Sequence, residues 1–175
     1  MNIRWLILCL VLSACSGRPP AVSLQGYFFV GQSDEKAAAA ENPKLLQAVT
    51  EIVLAIYEKQ PAKLMQYIHA QEGAIIDAKA FATHAQVGQA LDNPESMLYR
   101  VLWDDAYWKK NSPEDEIRSY RTLFGRAGEI RVGLFYYSAT ECEARIDFKN
   151  RPPMGVMANL VLRKRGDRWY MMNFF

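Results

Sequence analysis

Hydrophobic and polar positions follow two rhythms along this chain, and the change between them falls near Gly128. Upstream, apolar residues recur every three or four positions. Leu45, Val49, Ile52, Val53, Ile56 and Tyr57 form one face of a helix, with Glu51, Glu58 and Lys59 off it. Asn42 is suited to cap that helix and Pro43 to its first position. Pro61 is expected to end it and to open a second helix with Leu64, Met65 and Ile68 inward. After Gly73, the run Ala74-Ile75-Ile76 predicts a short strand. Ala78 to Leu91 reads as helix, and Met97 to Trp108 fits strand or helix equally. Ser112-Pro113-Glu114-Asp115-Glu116 has the chemistry of a helix start: a capping hydroxyl, a proline, then acids that suit the helix dipole. Ile117, Tyr120, Leu123 and Phe124 supply the inner face of that helix, which Gly125 and Gly128 close.

Downstream the period is two. Ile130, Val132, Leu134 and Tyr136 alternate with Glu129, Arg131, Gly133 and Phe135. Cys142, Ala144, Ile146 and Phe148 alternate with Glu141, Glu143, Arg145 and Asp147. Val156 to Leu162 and Trp169 to Phe175 make two more strands, joined by a hairpin turn at Arg165-Gly166-Asp167. Four strands on short connections imply an antiparallel meander. The fold class is therefore α+β: N-terminal helices packed on a curved antiparallel sheet of about four strands.

The first 41 residues are different. Arg4 precedes the uncharged apolar run Trp5 to Leu12, which is far short of the ~20 residues needed to span a bilayer. Ser13, Ala14 and Cys15 follow. The string Leu12-Ser13-Ala14-Cys15 resembles the lipobox of bacterial lipoproteins. That resemblance implies a signal peptide over residues 1–14, cleavage before Cys15 and lipidation of its thiol. It also implies attachment to a membrane surface, because two or three acyl chains hold stably where one holds reversibly. Ser16 in place of Asp implies release to the outer membrane in enterobacteria-like hosts. Residues 15–41 then read as the lipidated cysteine and a flexible tether, with Tyr27-Phe28-Phe29-Val30 as a segment able to dock on the domain as a strand. Residues 42–175 form one α+β domain.

Composition adds exclusions. The chain has 175 residues, 21 Lys+Arg against 19 Asp+Glu, three cysteines and two histidines. A formal charge of +2 is too small and too dispersed for nucleic-acid binding. Removal of Cys9 with the leader and lipidation of Cys15 would leave Cys142 alone, with no partner for an intramolecular disulfide. His69 and His84 lie too far apart for a recognised metal motif, so neither metal nor cofactor is expected. His69 falls near a helix end, where a cation meets the helix dipole. No nucleophile elbow, P-loop or dinucleotide fingerprint is present. Cys142 falls on an apolar strand face, where a thiol is inert.

Two segments carry candidate chemistry. Trp103-Asp104-Asp105-Ala106-Tyr107-Trp108 combines acids with stacking surfaces and can line a pocket for a flat polar ligand, or can pack under the sheet with its acids in turns. Arg163-Lys164-Arg165 with Arg168 is a basic cluster at a hairpin, suited to anionic headgroups or an acidic partner, or to a solvated turn that guards a strand edge. The helix pair, the late strands and the closing Arg168-Trp169-Tyr170-Met171-Met172-Asn173 resemble the nuclear-transport-factor-2-like or cystatin-like superfamily. The resemblance implies a long helix lying in a cone-shaped sheet. Its enzymes face an acid with a Tyr or His inside the cone, but no residue here matches such a motif one for one. The expectation is a lipid-anchored envelope protein that binds a small ligand or another envelope protein without catalysis. Its candidate ligand contacts are Asp104, Asp105, Tyr107, Trp108 and His69. The alternative is a hydrolase- or isomerase-type enzyme with a pocket built from Asp104, Asp105, Tyr107 and His69.

Overall fold

The computed structural model describes residues 18–30, 35–77, 80–113, 118–148 and 158–174. The leader, Cys15 and Ser16 lie outside these residues. The chain runs β1 (Ala21–Phe29), α1 (Glu35–Ala39), α2 (Asn42–Tyr57), α3 (Pro61–Met65), β2 (Ala74–Asp77), β3 (Ala80–Ala82), α4 (His84–Asp92), α5 (Met97–Trp103), α6 (Asp105–Asn111), α7 (Tyr120–Ala127), β4 (Glu129–Ser138), β5 (Glu141–Phe148), β6 (Ala158–Arg165) and β7 (Arg168–Met171).

The architecture is α+β, with helices packed on a five-stranded, mainly antiparallel sheet ordered β1-β4-β5-β6-β7. Strands β4 to β7 form the expected meander. The two-residue turn at Gly166 and Asp167 joins its last pair, with Gly166 at φ 58°. The fifth strand comes from the stretch read as a tether. Strand β1 pairs parallel with β4, and its register shifts between Leu24 and Gly26. Parallel pairing requires a crossover, and helices α1 to α7 with the β2–β3 pair supply it.

The period-two pattern sorts residues as expected. Ile130, Val132, Leu134 and Tyr136 of β4 and Cys142, Ala144, Ile146 and Phe148 of β5 are buried under the helices. Against them lie Leu45, Val49, Ile52, Val53 and Ile56 of α2, all fully buried. Each such aliphatic side chain contributes about 1.5–3 kcal/mol relative to leaving it in water. Aromatic rings fill the remaining space: Phe124 meets Phe148 at 6.0 Å between centroids, and Tyr136 meets Trp169 at 6.4 Å.

Several helix ends differ from expectation, each for a local reason. Asn42 lies inside α2 rather than capping it, because its buried Oδ1 accepts the Tyr136 hydroxyl at 2.6 Å. Helix α2 ends at Tyr57, four residues before Pro61. Lys59 there adopts φ 55°, Lys59 N–H donates to Ile56 O at 3.1 Å, and Gln60 N–H donates to Ala55 O at 2.7 Å. This is a Schellman closure with lysine where glycine is usual. Trp103 Nε1 gives Ile56 O a second donor at 2.8 Å, and Arg121 Nε satisfies one further carbonyl of that end, Tyr57 O at 3.1 Å. Of the stretch 78–91, residues 78–79 lie outside the described residues and the rest is part strand and part helix: Thr83 caps α4 with a full capping box, which sets the helix start well inside the run. Met97 to Trp108 resolves into two helices broken at Asp104. The helix expected from Ser112 is capped instead at Ser119, whose Oγ accepts Thr122 N–H; residues 114–117 of the expected start lie outside the described residues.

Candidate functional site

The Trp103–Trp108 segment spends its polar groups on the fold. Asp104 caps α6 by accepting Tyr107 N–H at 2.9 Å. Asp105 accepts Ser119 N–H at 2.8 Å and the Thr122 hydroxyl, so its carboxylate serves the N-terminus of α7. Trp108 Nε1 donates to Arg100 O at 2.9 Å, and the Arg100 guanidinium lies 4.5 Å from the centroid of the Tyr107 ring. Asp104, Asp105, Tyr107 and Trp108 thus form one half-buried cluster on α5 to α7. His69 belongs elsewhere. Its Nδ1 accepts Glu72 N–H at 3.2 Å and its ring meets Tyr170 of β7 edge-on at 4.9 Å. It stands four residues beyond the end of α3.

The basic hairpin is largely neutralised. Lys164 pairs with Glu41 at 2.8 Å, Arg165 with Glu72 at 2.5 Å, and Arg163 with Glu141 at 3.2 Å. The Lys164 bond, followed by that from Trp169 Nε1, outweighs burial and holds Glu41 below the usual carboxylate range. Arg168 remains exposed; its Nη2 is 3.5 Å from Gln66 O.

On the opposite sheet face, burial of Glu143 is outweighed by bonds from Arg145, Tyr137 and Asn159, and its carboxyl is held low. The Arg145 guanidinium lies 3.8 Å from the Phe135 ring centroid. Cys142 is buried and free, and burial pushes its thiol up to about 12, as its strand position predicts. Among the described residues no group of three or more His, Cys, Asp or Glu is placed to hold a metal ion, and no helix is long and apolar enough to cross a membrane.

Two adjoining cavities lie on the outer side of α2. One, of about 260 Å³, sits between α2 and α3, lined by Glu51, Leu54, Ala55, Glu58, Lys63, Gln66 and Tyr67. The other, of about 250 Å³, sits between α2 and the β6–β7 hairpin, lined by Lys44, Gln47, Ala48, Glu51, Tyr67, Asp167, Arg168 and Trp169. Glu51 and Tyr67 line both. The Tyr67 hydroxyl donates to Glu51 Oε2, and Gln47 Nε2 donates to Oε1 at 2.8 Å. These bonds, Tyr67 first, hold the Glu51 carboxyl below its ordinary value; burial, then Glu51 itself, pushes the Tyr67 phenol well above its own. Both shifts move away from neutrality. An ionised Glu51 is a weak base and a protonated Tyr67 a weak acid, whereas proton-transfer groups work best with values near the operating pH. The pair is fitted to hold hydrogen bonds and charge.

Sequence periodicity missed this site for a simple reason. Lys44, Gln47, Glu51 and Glu58 are visible as the polar side of α2, but Tyr67 and Arg168 arrive from distant positions that no spacing rule connects to it.

No family model matches the chain, and no curated protein matches it. Among solved structures it is similar to the crystal structure of an NTF-2-like protein of unknown function from Shewanella oneidensis MR-1. Identity is 17%, the TM-score is 0.34, and the match covers 75% of this chain and 94% of that one.

Proposed function

We propose that this is a lipid-anchored protein of the bacterial envelope, held by acyl chains on Cys15, whose domain binds a small polar ligand without chemistry. The observation that carries the binding reading is the groove around Glu51 and Tyr67. Its two cavities are open and ringed by charged and polar side chains, with Leu54 and Ala55 adding an apolar wall to the first, while the space between α2 and the sheet is filled by Tyr136, Phe124, Phe148 and Trp169. Three acids (Glu51, Glu58, Asp167) and three bases (Lys44, Lys63, Arg168) line it, which favours a ligand with both charges or many hydrogen-bonding groups over a strongly ionic one. We read the sheet and α2 as the cone and long helix of the nuclear-transport-factor-2-like superfamily, and the outer membrane as the protein's location, on the strength of Ser16.

The groove is tested by recovering the protein from its native envelope and identifying co-purifying small molecules by mass spectrometry, with Glu51→Gln and Tyr67→Phe alongside. A metabolite retained by the wild type and lost from both variants supports the reading; identical profiles refute it. The anchor is tested by Cys15→Ala: loss of palmitate incorporation and of membrane association is expected, and unchanged labelling refutes it.

A further inference from the structure

We infer that the free edge of β1 is a self-association surface, pairing antiparallel with β1 of a second copy of this chain. Among the described residues β1 has one neighbour strand, β4, and its other side is open. The N–H groups of Ala21 and Val30 point at β4, donating to Gly128 O at 3.1 Å and Tyr136 O at 3.0 Å. Alternation from each end therefore turns the backbone polar groups of Val22 and Leu24, and of Phe29 and Tyr27, to the open side, with the register irregularity between. Those four positions are symmetric about the Gln25–Gly26 bond. A two-fold axis through that point, perpendicular to the sheet, sets Val22 opposite Phe29 of the second copy and Leu24 opposite its Tyr27. Every outward group on one strand then meets an outward group on the other, as an isologous interface requires. The result is one ten-stranded sheet with both helical layers on the same side.

Charge argues for the same occupant. Ala21 to Val30 contains no Asp, Glu, Lys, Arg or His and no proline, so self-pairing sets no like charges against each other. Exposed edges are ordinarily guarded by Lys, by Pro or by a cover, and no charge or proline guards this one. Leu24, Tyr27, Phe28 and Val30 are 37%, 42%, 55% and 61% exposed, a concentration of apolar surface that pairing would reduce.

The test is sedimentation equilibrium of the full-length chain in a density-matched detergent, with two double variants. Leu24→Lys/Tyr27→Lys sets Lys against Lys twice across the axis. Leu24→Glu/Tyr27→Lys sets Glu against Lys twice. Both put two charges on the same strand, so a loss of fold would strike them alike. The wild type is expected to be dimeric, the first variant to dissociate with a Kd raised about tenfold or more, and the second to stay within about threefold of wild type. A wild type that is monomeric throughout overturns the proposal and leaves the edge to a strand of another protein. Equal behaviour of the two variants overturns it too.

Discussion

The sheet has two edges, and they are finished in opposite ways. At β7 the chain covers its own work. Tyr67 O accepts Met171 N–H at 2.7 Å, Met172 O accepts Ile75 N–H at 2.8 Å, and Ile75 O accepts Phe174 N–H at 3.0 Å, so the turn after α3 and strand β2 close that side. Ion pairs to Glu41 and Glu72 fasten the β6–β7 hairpin. At β1, among the described residues, there is neither cover nor charge. A terminal strand can be satisfied by its own chain or left to associate, and a single sheet can do both at once.

The sharpest way to break this contrast is Gly73→Ala. Gly73 has φ 61°, and a Cβ there would lie 2.0 Å from Ala82 O. The turn that brings β2 to β7 cannot hold a side chain, and a loss of about 2–4 kcal/mol is expected in urea unfolding. Tyr136→Phe acts beside the open edge, where Phe29 stacks on the Tyr136 ring at 5.4 Å. It strips the buried Asn42 Oδ1 of its donor and should cost about 1–2 kcal/mol by the same measurement.

Acid separates the edges without a mutation. Folding lowers Glu41 and Glu72 below the ordinary value of 4.5, Glu41 through Lys164 and Glu72 through Arg165. A carboxylate lowered on folding contributes stability that is fully present above its unfolded value and is lost as pH falls through its folded one. Amide exchange at Tyr170 and Met171, corrected for intrinsic rate, should therefore accelerate below pH 4.5 before that at Val132 and Leu134, and Glu41→Gln should remove part of the difference. Smallest of all, Asp167→Asn should leave the unfolding midpoint unchanged, since Asp167 is 94% exposed and only 4.0 Å from Lys44 at best.

The meander was readable in advance because one face of each strand is buried: from Cys142 to Phe148 every second residue must be apolar for the sheet to pack. Strand β1 was readable only in part: Tyr27 to Val30 stood out as a segment able to dock as a strand, but neither its full length nor its place in the sheet did. Its partner lies a hundred residues away, and as an edge strand it shows no strict alternation, with Tyr27, Phe28 and Phe29 in succession. Local chemistry named the right kind of cap but set the helix at Ser112 rather than Ser119: Ser112 N–H donates to Trp108 O and ends α6, while Asp105 docks on Ser119 N–H. The acids of the Trp103–Trp108 segment read as ligand contacts or as turn residues alike for the same reason. An aspartate that caps a helix and one that binds a sugar have the same composition and differ only in what they face.

Cys142 has a practical use that follows from its burial. Among the described residues it is the sole thiol, sealed between β4 and β6 at the middle of the meander. An alkylating reagent reaches it only when the core between helices and sheet opens. The rate of its labelling is thus a clock for core opening, supplied by the protein itself without any probe having to be introduced.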